Sequence, residues 1–176
     1  MKHFVLGVDV GGTNIKLGLV DLSGNVISRT SLVTSSFIRN KNRLISALCS
    51  QIKIIISKNR LSPKHILGIG IGLPGLVDFH RGTVNLLVNI PGWHKVPLKK
   101  IIEQKIKIPA FLDNDVNVMA LGEWRFGAAR GSKNVVCLTL GTGVGGGLIL
   151  DNRLYRGENF AAGELGHIPL NENGPP

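Results

Sequence analysis

Cysteine, aromatic residues and acidic side chains are all scarce in this chain of 176 residues. There are two cysteines, Cys49 in a helical pattern and Cys137 in a strand pattern. They supply no disulfide framework and suit a reducing, cytoplasmic compartment. Aromatic residues make up 5% of the chain, and acidic residues number 11 against 21 basic ones, a net charge of +10. That balance raises the question of nucleic acid. The basic residues are scattered, however, with local density at Arg39 to Arg43, Lys53 to Lys64 and Lys95 to Lys107. No aromatic residues interleave with them as a stacking platform requires, so nucleic acid is not an expected partner. Long apolar runs are missing too. The longest uncharged run, Asn134 to Leu150, is rich in glycine and shorter than a membrane span. Asp9 interrupts an N-terminal apolar run already too short for a signal peptide. A soluble protein with no membrane partner is expected.

What is present is enough apolar material for a core, 43% of residues, in a length that suits one medium domain or two small ones. Phe4 to Val10 reads as a strand buried on both faces. After the turn Gly11-Gly12-Thr13-Asn14, Ile15 to Asp21 alternates as a second strand, and Val26 to Val33 makes a third. Together they predict an antiparallel meander. Lys41 to Lys58 is helical by period, with Leu44, Leu48, Ile52 and Ile55 on one face. Ile66 to Leu73 is a strand ending at Pro74-Gly75, and Asp78 to Trp93 reads as loop and short hairpin. Pro97 to Lys105 reads as a helix with proline at its first position, Ile108 to Phe111 as a strand, and Val118 to Phe126 as a helix. The order is that of a mixed α/β sheet with helical cover. Beyond residue 127 the pattern restarts: strand Val135 to Leu140, glycine turn, strand Gly145 to Leu150, and a short strand Arg153 to Tyr155. Strand, glycine turn, strand repeats the opening of the chain. Residues 1–127 are therefore expected to form a complete first lobe, and 128–176 the opening strands of a second.

Three stretches carry chemistry. In Leu112-Asp113-Asn114-Asp115-Val116-Asn117, Asp115 stands at a strand-to-helix junction, where a carboxylate can accept a hydroxyl proton while a phosphoryl group arrives. The residues alone leave open that Asp115, Asp113 or Asn114 is only a helix cap. In Asp9-x-Gly11-Gly12-Thr13, successive amides can form an anion-binding nest, with Thr13 adding a hydroxyl and Lys16 a charge. Asp9 could hold a metal-bound water. An ordinary Gly-Gly hairpin is the alternative. Leu140-Gly141-Thr142-Gly143-Val144-Gly145-Gly146-Gly147 contains G-x-G-x-x-G, but a strand rather than a helix follows it, which excludes a dinucleotide fingerprint. Two strand–turn–strand phosphate loops, one per lobe, is the architecture of the actin-like ATPases and sugar kinases.

Taken in order, these motifs, with Gly70-Ile71-Gly72-Leu73-Pro74-Gly75-Leu76-Val77-Asp78 and Gly157-Glu158-x-x-Ala161-Ala162-Gly163-Glu164-Leu165-Gly166-His167, resemble the ROK family (repressor, open reading frame, kinase) over almost the whole chain. The resemblance is strongest to its bacterial glucokinases. It implies the actin-like ATPase (ribonuclease H-like) fold and ATP-dependent phosphorylation of a hexose, glucose first, at the 6-hydroxyl. N-acetylmannosamine and N-acetylglucosamine are the alternative acceptors, and a sugar-binding transcriptional regulator or an inactive fragment the alternative roles. Against the regulator, the first strand begins by Phe4, with no helix-turn-helix segment before it. The resemblance also implies roles for single residues. Asp115 would be the general base. Gly75, Asn114, Asp115, Glu164 and His167 would hold the sugar. Asp9, Gly11, Gly12, Thr13 and Lys16, with Gly141, Thr142 and Gly143, would hold ATP and magnesium. His167 would also ligate a structural zinc, together with cysteines of a C-x-C-G-x-x-G-C cluster that this chain does not contain. ATP, magnesium and, in a full-length protein, zinc are thus the implied cofactors, and a homo-oligomer the implied assembly. For His167, a loop histidine bonded to a backbone carbonyl is the alternative. The apolar strands from Val135 to Leu150 are expected to stand uncovered.

Overall fold

The computed structural model describes residues 3–34, 40–87, 92–141 and 143–168. The chain divides into two compact units, Met1–Asp115 and Val116–Pro176. The boundary expected near residue 127 rests on where the sequence pattern restarts; the compact units divide earlier, so that the helix from Val116 onward belongs with the second unit.

The first unit is built on a five-stranded sheet. Strands β1 (Phe4–Val10), β2 (Asn14–Asp21) and β3 (Val26–Val33) form the antiparallel meander. The parallel strands β4 (Ile66–Leu73) and β8 (Ala110–Asn114) extend it in the order β3-β2-β1-β4-β8. Alternation decides which face is covered. Leu6, Val8 and Val10 on β1, and Ile15, Leu17 and Leu19 on β2, are buried in one core with Ile69, Ile71 and Leu73 of β4. Helix α1 (Lys41–Lys58) adds Leu44, Leu48, Ile52 and Ile55, and α2 (Leu98–Ile106) adds Leu98, Ile102 and Ile106. Two periods, 2.0 and 3.6, thus meet in a single apolar layer. The Asn40 side chain caps α1 by accepting from the Asn42 and Arg43 amides. On the opposite face of the sheet, Asp9 and Lys16 are direct cross-strand partners, and the next residues along that row are Gly72 and Asp113.

Several boundaries differ from the sequence expectation. The hairpin expected within 78–93 starts earlier, at Gly75, and a third strand joins it beyond Trp93. β5 (Gly75–Asp78), β6 (Thr83–Leu87) and β7 (His94–Val96) form a small antiparallel sheet, and the fully buried Trp93 joins the core. Asp78 makes the β5–β6 turn by accepting from the Arg81 amide through its side chain and from the Gly82 amide through its carbonyl. Pro97 lies just outside α2 rather than at its first position. β8 starts two residues later than expected and runs through Asp113 and Asn114, because these pair with Gly72 and Leu73 of β4. Tertiary pairing here overrides the turn preference of Asp and Asn.

The second unit repeats the opening motif. β9 (Val135–Leu140), β10 (Val144–Leu150) and β11 (Arg153–Tyr155) form an antiparallel meander in the order β11-β10-β9. One face packs on α3 (Asp115–Phe126), which begins three residues earlier than its apolar pattern suggests. On the other face Val136, Leu138 and Leu140 of β9 are exposed, so the expectation of uncovered apolar strands holds for that face only; Ile149 of β10 is fully buried.

Candidate active site

At the tip of β1 and β2 the chain turns through Gly11, Gly12 and Thr13. The Gly11 amide donates to the Asn14 carbonyl at 3.0 Å. Buried Thr34, just past the end of β3, pins the turn: its hydroxyl donates to the Gly11 carbonyl at 2.8 Å and its amide to the Thr13 carbonyl at 2.9 Å. The Gly11 amide is thereby used within the turn, while Gly12, Thr13, Asp9 and Lys16 are exposed. A carboxylate, an ammonium and a glycine turn thus share one end of the sheet, the combination expected for a nucleotide phosphate with its cation.

At the end of β8, Asn114 is half-buried and its side-chain amide donates to the Gly75 carbonyl at 3.3 Å. Gly75 sits at φ +127°, and a side chain there would collide with the Leu86 carbonyl. Only glycine fits this position. The structure therefore brings together two motifs that lie 39 residues apart. Asp113 is buried, and its carboxylate accepts from the Asn114 amide at 2.9 Å. Half-buried Asp115 follows as the first residue of α3, where the N-terminal end of the helix dipole favours a carboxylate.

In the second unit the β9–β10 turn is exposed at Gly141 and Gly143, with the Gly141 amide donating to the Gly143 carbonyl at 3.0 Å. Thr142 lies outside the described residues. Glu164 caps and His167 ends a 3-10 turn (Leu165–His167), with His167 Nε2 3.6 Å from Glu164 Oε2. Both side chains are open to solvent. A structural zinc needs four ligands. Among the described residues no group of three His, Cys, Asp or Glu side chains is placed to hold a metal, so the residues present do not fit a zinc site.

Sequence reasoning missed the second use of the glycines in the 140–147 run. Gly145 and Gly147 face α3. A Cβ on Gly145 would stand 2.6 Å from Val116 Cγ2, and one on Gly147 2.8 Å from Ala120 Cβ. Gly146 faces the other way, where a Cβ would stand 2.7 Å from Leu165 Cδ1 and against the Gly163 carbonyl. β10 is thus pressed between the helix that follows Asp115 and the loop that carries Glu164. The glycine run itself was the available signal, since glycine inside a strand marks a close backbone approach.

Compared with known proteins, the chain matches the ROK family model over residues 5–176. It belongs to the ROK family. A glucokinase from Halalkalibacterium halodurans is 38% identical over 176 residues, covering 99% of this chain and 52% of that protein. A xylose repressor from Caldicellulosiruptor bescii is 38% identical over 167 residues, covering 95% and 41%. Among solved structures, a ROK family glucokinase from Streptomyces griseus in complex with glucose and AMPPNP superposes with a TM-score of 0.82 at 38% identity, covering 97% of this chain and 52% of that one. The chain spans about half the length of the curated relatives it matches. Its meander, crossover helices and repeated glycine turn are those of the actin-like ATPase fold shared by ROK sugar kinases.

Proposed function

We propose that this chain forms part of an ATP-dependent hexose kinase, with glucose as the first acceptor, phosphorylated at its 6-hydroxyl. The observation that carries the reading is the junction at residues 113–115. A strand end presents Asn114 bonded to Gly75, and the next residue is a half-buried carboxylate at a helix start. Asn114, the Gly75 segment, Glu164 and His167 hold the sugar. Asp115 accepts the proton of the attacking hydroxyl as its oxygen bonds to the γ-phosphorus and ADP leaves. Gly12 and Thr13 in one unit, and the Gly141–Gly143 turn in the other, hold phosphate oxygens through their backbone. Lys16 adds positive charge, and Asp9 would hold magnesium through water. The magnesium, when bound, neutralises charge on the transferred group. The two bonds from Thr34 to the Gly11 and Thr13 carbonyls support a first glycine turn that is preorganised rather than assembled on binding.

Sugar-dependent release of ADP from magnesium-ATP, measured over glucose, mannose and the two N-acetyl sugars, tests the reading and names the acceptor. Asp115→Asn in an active kinase containing this chain lowers turnover by about 10²–10⁴, the usual contribution of a general base, and leaves sugar binding intact. Turnover within about tenfold of the unaltered protein refutes the assignment. The similarity to a xylose repressor favours a second reading, a sugar-binding regulator. Sugar binding without ADP release, joined to sequence-specific duplex binding that survives moderate salt, distinguishes it. Cytoplasmic location and homo-oligomeric assembly belong to the same proposal; no helix among the described residues is long and apolar enough to cross a membrane.

A further inference from the structure

The positive charge of the chain is unevenly placed. Residues 1–115 contain sixteen of the 21 basic side chains and six of the 11 acidic ones, while residues 116–176 are balanced. Within the first unit the fold gathers what the sequence scatters. α1 and α2 pack side by side over the same core. Arg43, Lys53 and Lys58 of α1, and Lys100, Lys105 and the adjoining Lys107 of α2, are all exposed. α1 contains no acidic residue, and the sole carboxylate of α2, Glu103, accepts from the Ala110 amide. None of these six cations is paired with a carboxylate among the described residues. The two helices also bring their charges to a common seam, because both Lys105 and Lys53 act on the thiol of Cys49. The apolar stripes of both helices face the sheet, so this layer lies on the opposite side of the sheet from Asp9 and Lys16.

We infer that the α1–α2 layer is a docking surface for the phosphate backbone of a double-stranded nucleic acid, bound without regard to sequence. The chemistry of the face selects this occupant. Neither helix contains an aromatic residue, and the large exposed apolar side chain on α1 is Ile54. A single strand is held by stacking on a series of aromatic rings; neither helix supplies one, and the exposed Phe111 ring beside α2 already lies against Lys99. A membrane surface is held by apolar anchors among the cations, and one isoleucine supplies little. A duplex backbone needs only spaced cations, and α1, 18 residues long, extends for about 27 Å. Lysine predominates, a point charge suited to phosphate without base readout. The inference is independent of the kinase reading, since no residue of the layer belongs to the candidate active site.

The test is fluorescence anisotropy of the purified protein with a labelled duplex of about 20 base pairs, at salt from about 50 to 200 mM. With six phosphate contacts the expected slope of log affinity against log salt is about −5, a loss of roughly a thousandfold across that range. The variant Lys53→Gln, Lys58→Gln, Lys100→Gln, Lys105→Gln should flatten the slope by about 3 to 4. Arg153→Gln, in the second unit, should leave it unchanged. On the unaltered protein, bound duplex should protect these lysines from acetylation, a readout that needs no variant. Absence of duplex binding at the lowest salt overturns the inference. So does a slope insensitive to the four substitutions, protection confined to other lysines, or attachment to phosphatidylserine vesicles that duplex cannot reverse.

Discussion

A methyl group added to Gly147 should measurably loosen the second unit, and the structure sets the size of the effect. The new Cβ would lie 2.8 Å from the Ala120 Cβ and 2.9 Å from the Val116 carbonyl oxygen. Carbon atoms in contact prefer about 3.5–4.0 Å, so strand and helix must part by roughly 1 Å or the strand must twist. Overpacking of that kind costs about 1–3 kcal/mol. Replacing glycine by alanine within a strand returns about 0.5–1 kcal/mol of backbone entropy. The net expectation for Gly147→Ala is a destabilisation of roughly 1–2 kcal/mol. Gly7→Ala is the internal control: it too lies within a strand, but a Cβ there meets nothing within 4 Å. That variant should be neutral or up to about 1 kcal/mol more stable. Urea unfolding followed by circular dichroism measures both, with unchanged slopes showing that the compared states are the same. If Gly147→Ala matches the unaltered protein within about 0.3 kcal/mol, or shifts in the same direction as Gly7→Ala, the reading of β10 as a strand pressed against α3 is wrong. Because Val116 directly follows Asp115, the same variant in an active kinase should also lower turnover, since about 1 Å of misplacement at a reacting group can reduce rate a hundredfold.

Lys107 closes α2 at φ 63° and ψ 35°, a left-handed position that suits glycine. Lys107→Gly should stabilise the protein by about 0.5–1 kcal/mol and raise the thermal midpoint by roughly 2–3 °C, and a lowered midpoint contradicts it. Burial pushes the Cys49 thiol above its ordinary range, with Lys105 and Lys53 opposing the shift only in part. The folded chain therefore holds this proton more tightly than the unfolded one. The contribution to stability is complete below the ordinary thiol range and falls as pH rises through it toward the folded value. Urea midpoints taken across the alkaline range should decline more steeply in the unaltered protein than in Cys49→Ala, and parallel declines refute the point.

Period carried most of the fold into the sequence. The alternation of Ile15, Leu17 and Leu19 and the spacing of Leu44, Leu48, Ile52 and Ile55 identify β2 and α1 because each buried face is written locally. What stayed hidden depends on partners distant in the chain. Asp113 and Asn114 resemble cap residues until Gly72 and Leu73 pair with them. The layer of cations on α1 and α2 is invisible while its members are dispersed over residues 43–107, and nothing local says that two helices will lie together. The small sheet of β5, β6 and β7 goes beyond the loop and short hairpin that the sequence predicts, because its strands are short and the stretch between them is rich in turn residues. The candidate site was legible through motif order, but the bond from Asn114 to Gly75 that joins two of those motifs is tertiary and has no local signature.

The glycine run at 140–147 shows why one motif can answer to two demands. The proposed phosphate loop needs bare backbone at its tip, which Gly141 and Gly143 provide; nothing lies within 4 Å of a Cβ placed on either. Gly145, Gly146 and Gly147 lie past that tip, inside β10, and a phosphate-binding role does not account for them. Packing does. One face of the strand admits Val116 and Ala120 of α3, and the other admits Gly163 and Leu165 of the loop before His167. A side chain on either face would move the helix that begins at Asp115 or the turn that carries Glu164. Since interiors transmit strain rather than absorb it, the strand behaves as a spacer whose thickness is fixed at one backbone. On the proposed kinase reading, substitution at the turn should weaken nucleotide binding and leave stability nearly unchanged, whereas substitution at positions 145–147 should reduce stability first. A Gly143→Ala variant as destabilised as Gly147→Ala would remove the distinction between the two halves of the motif.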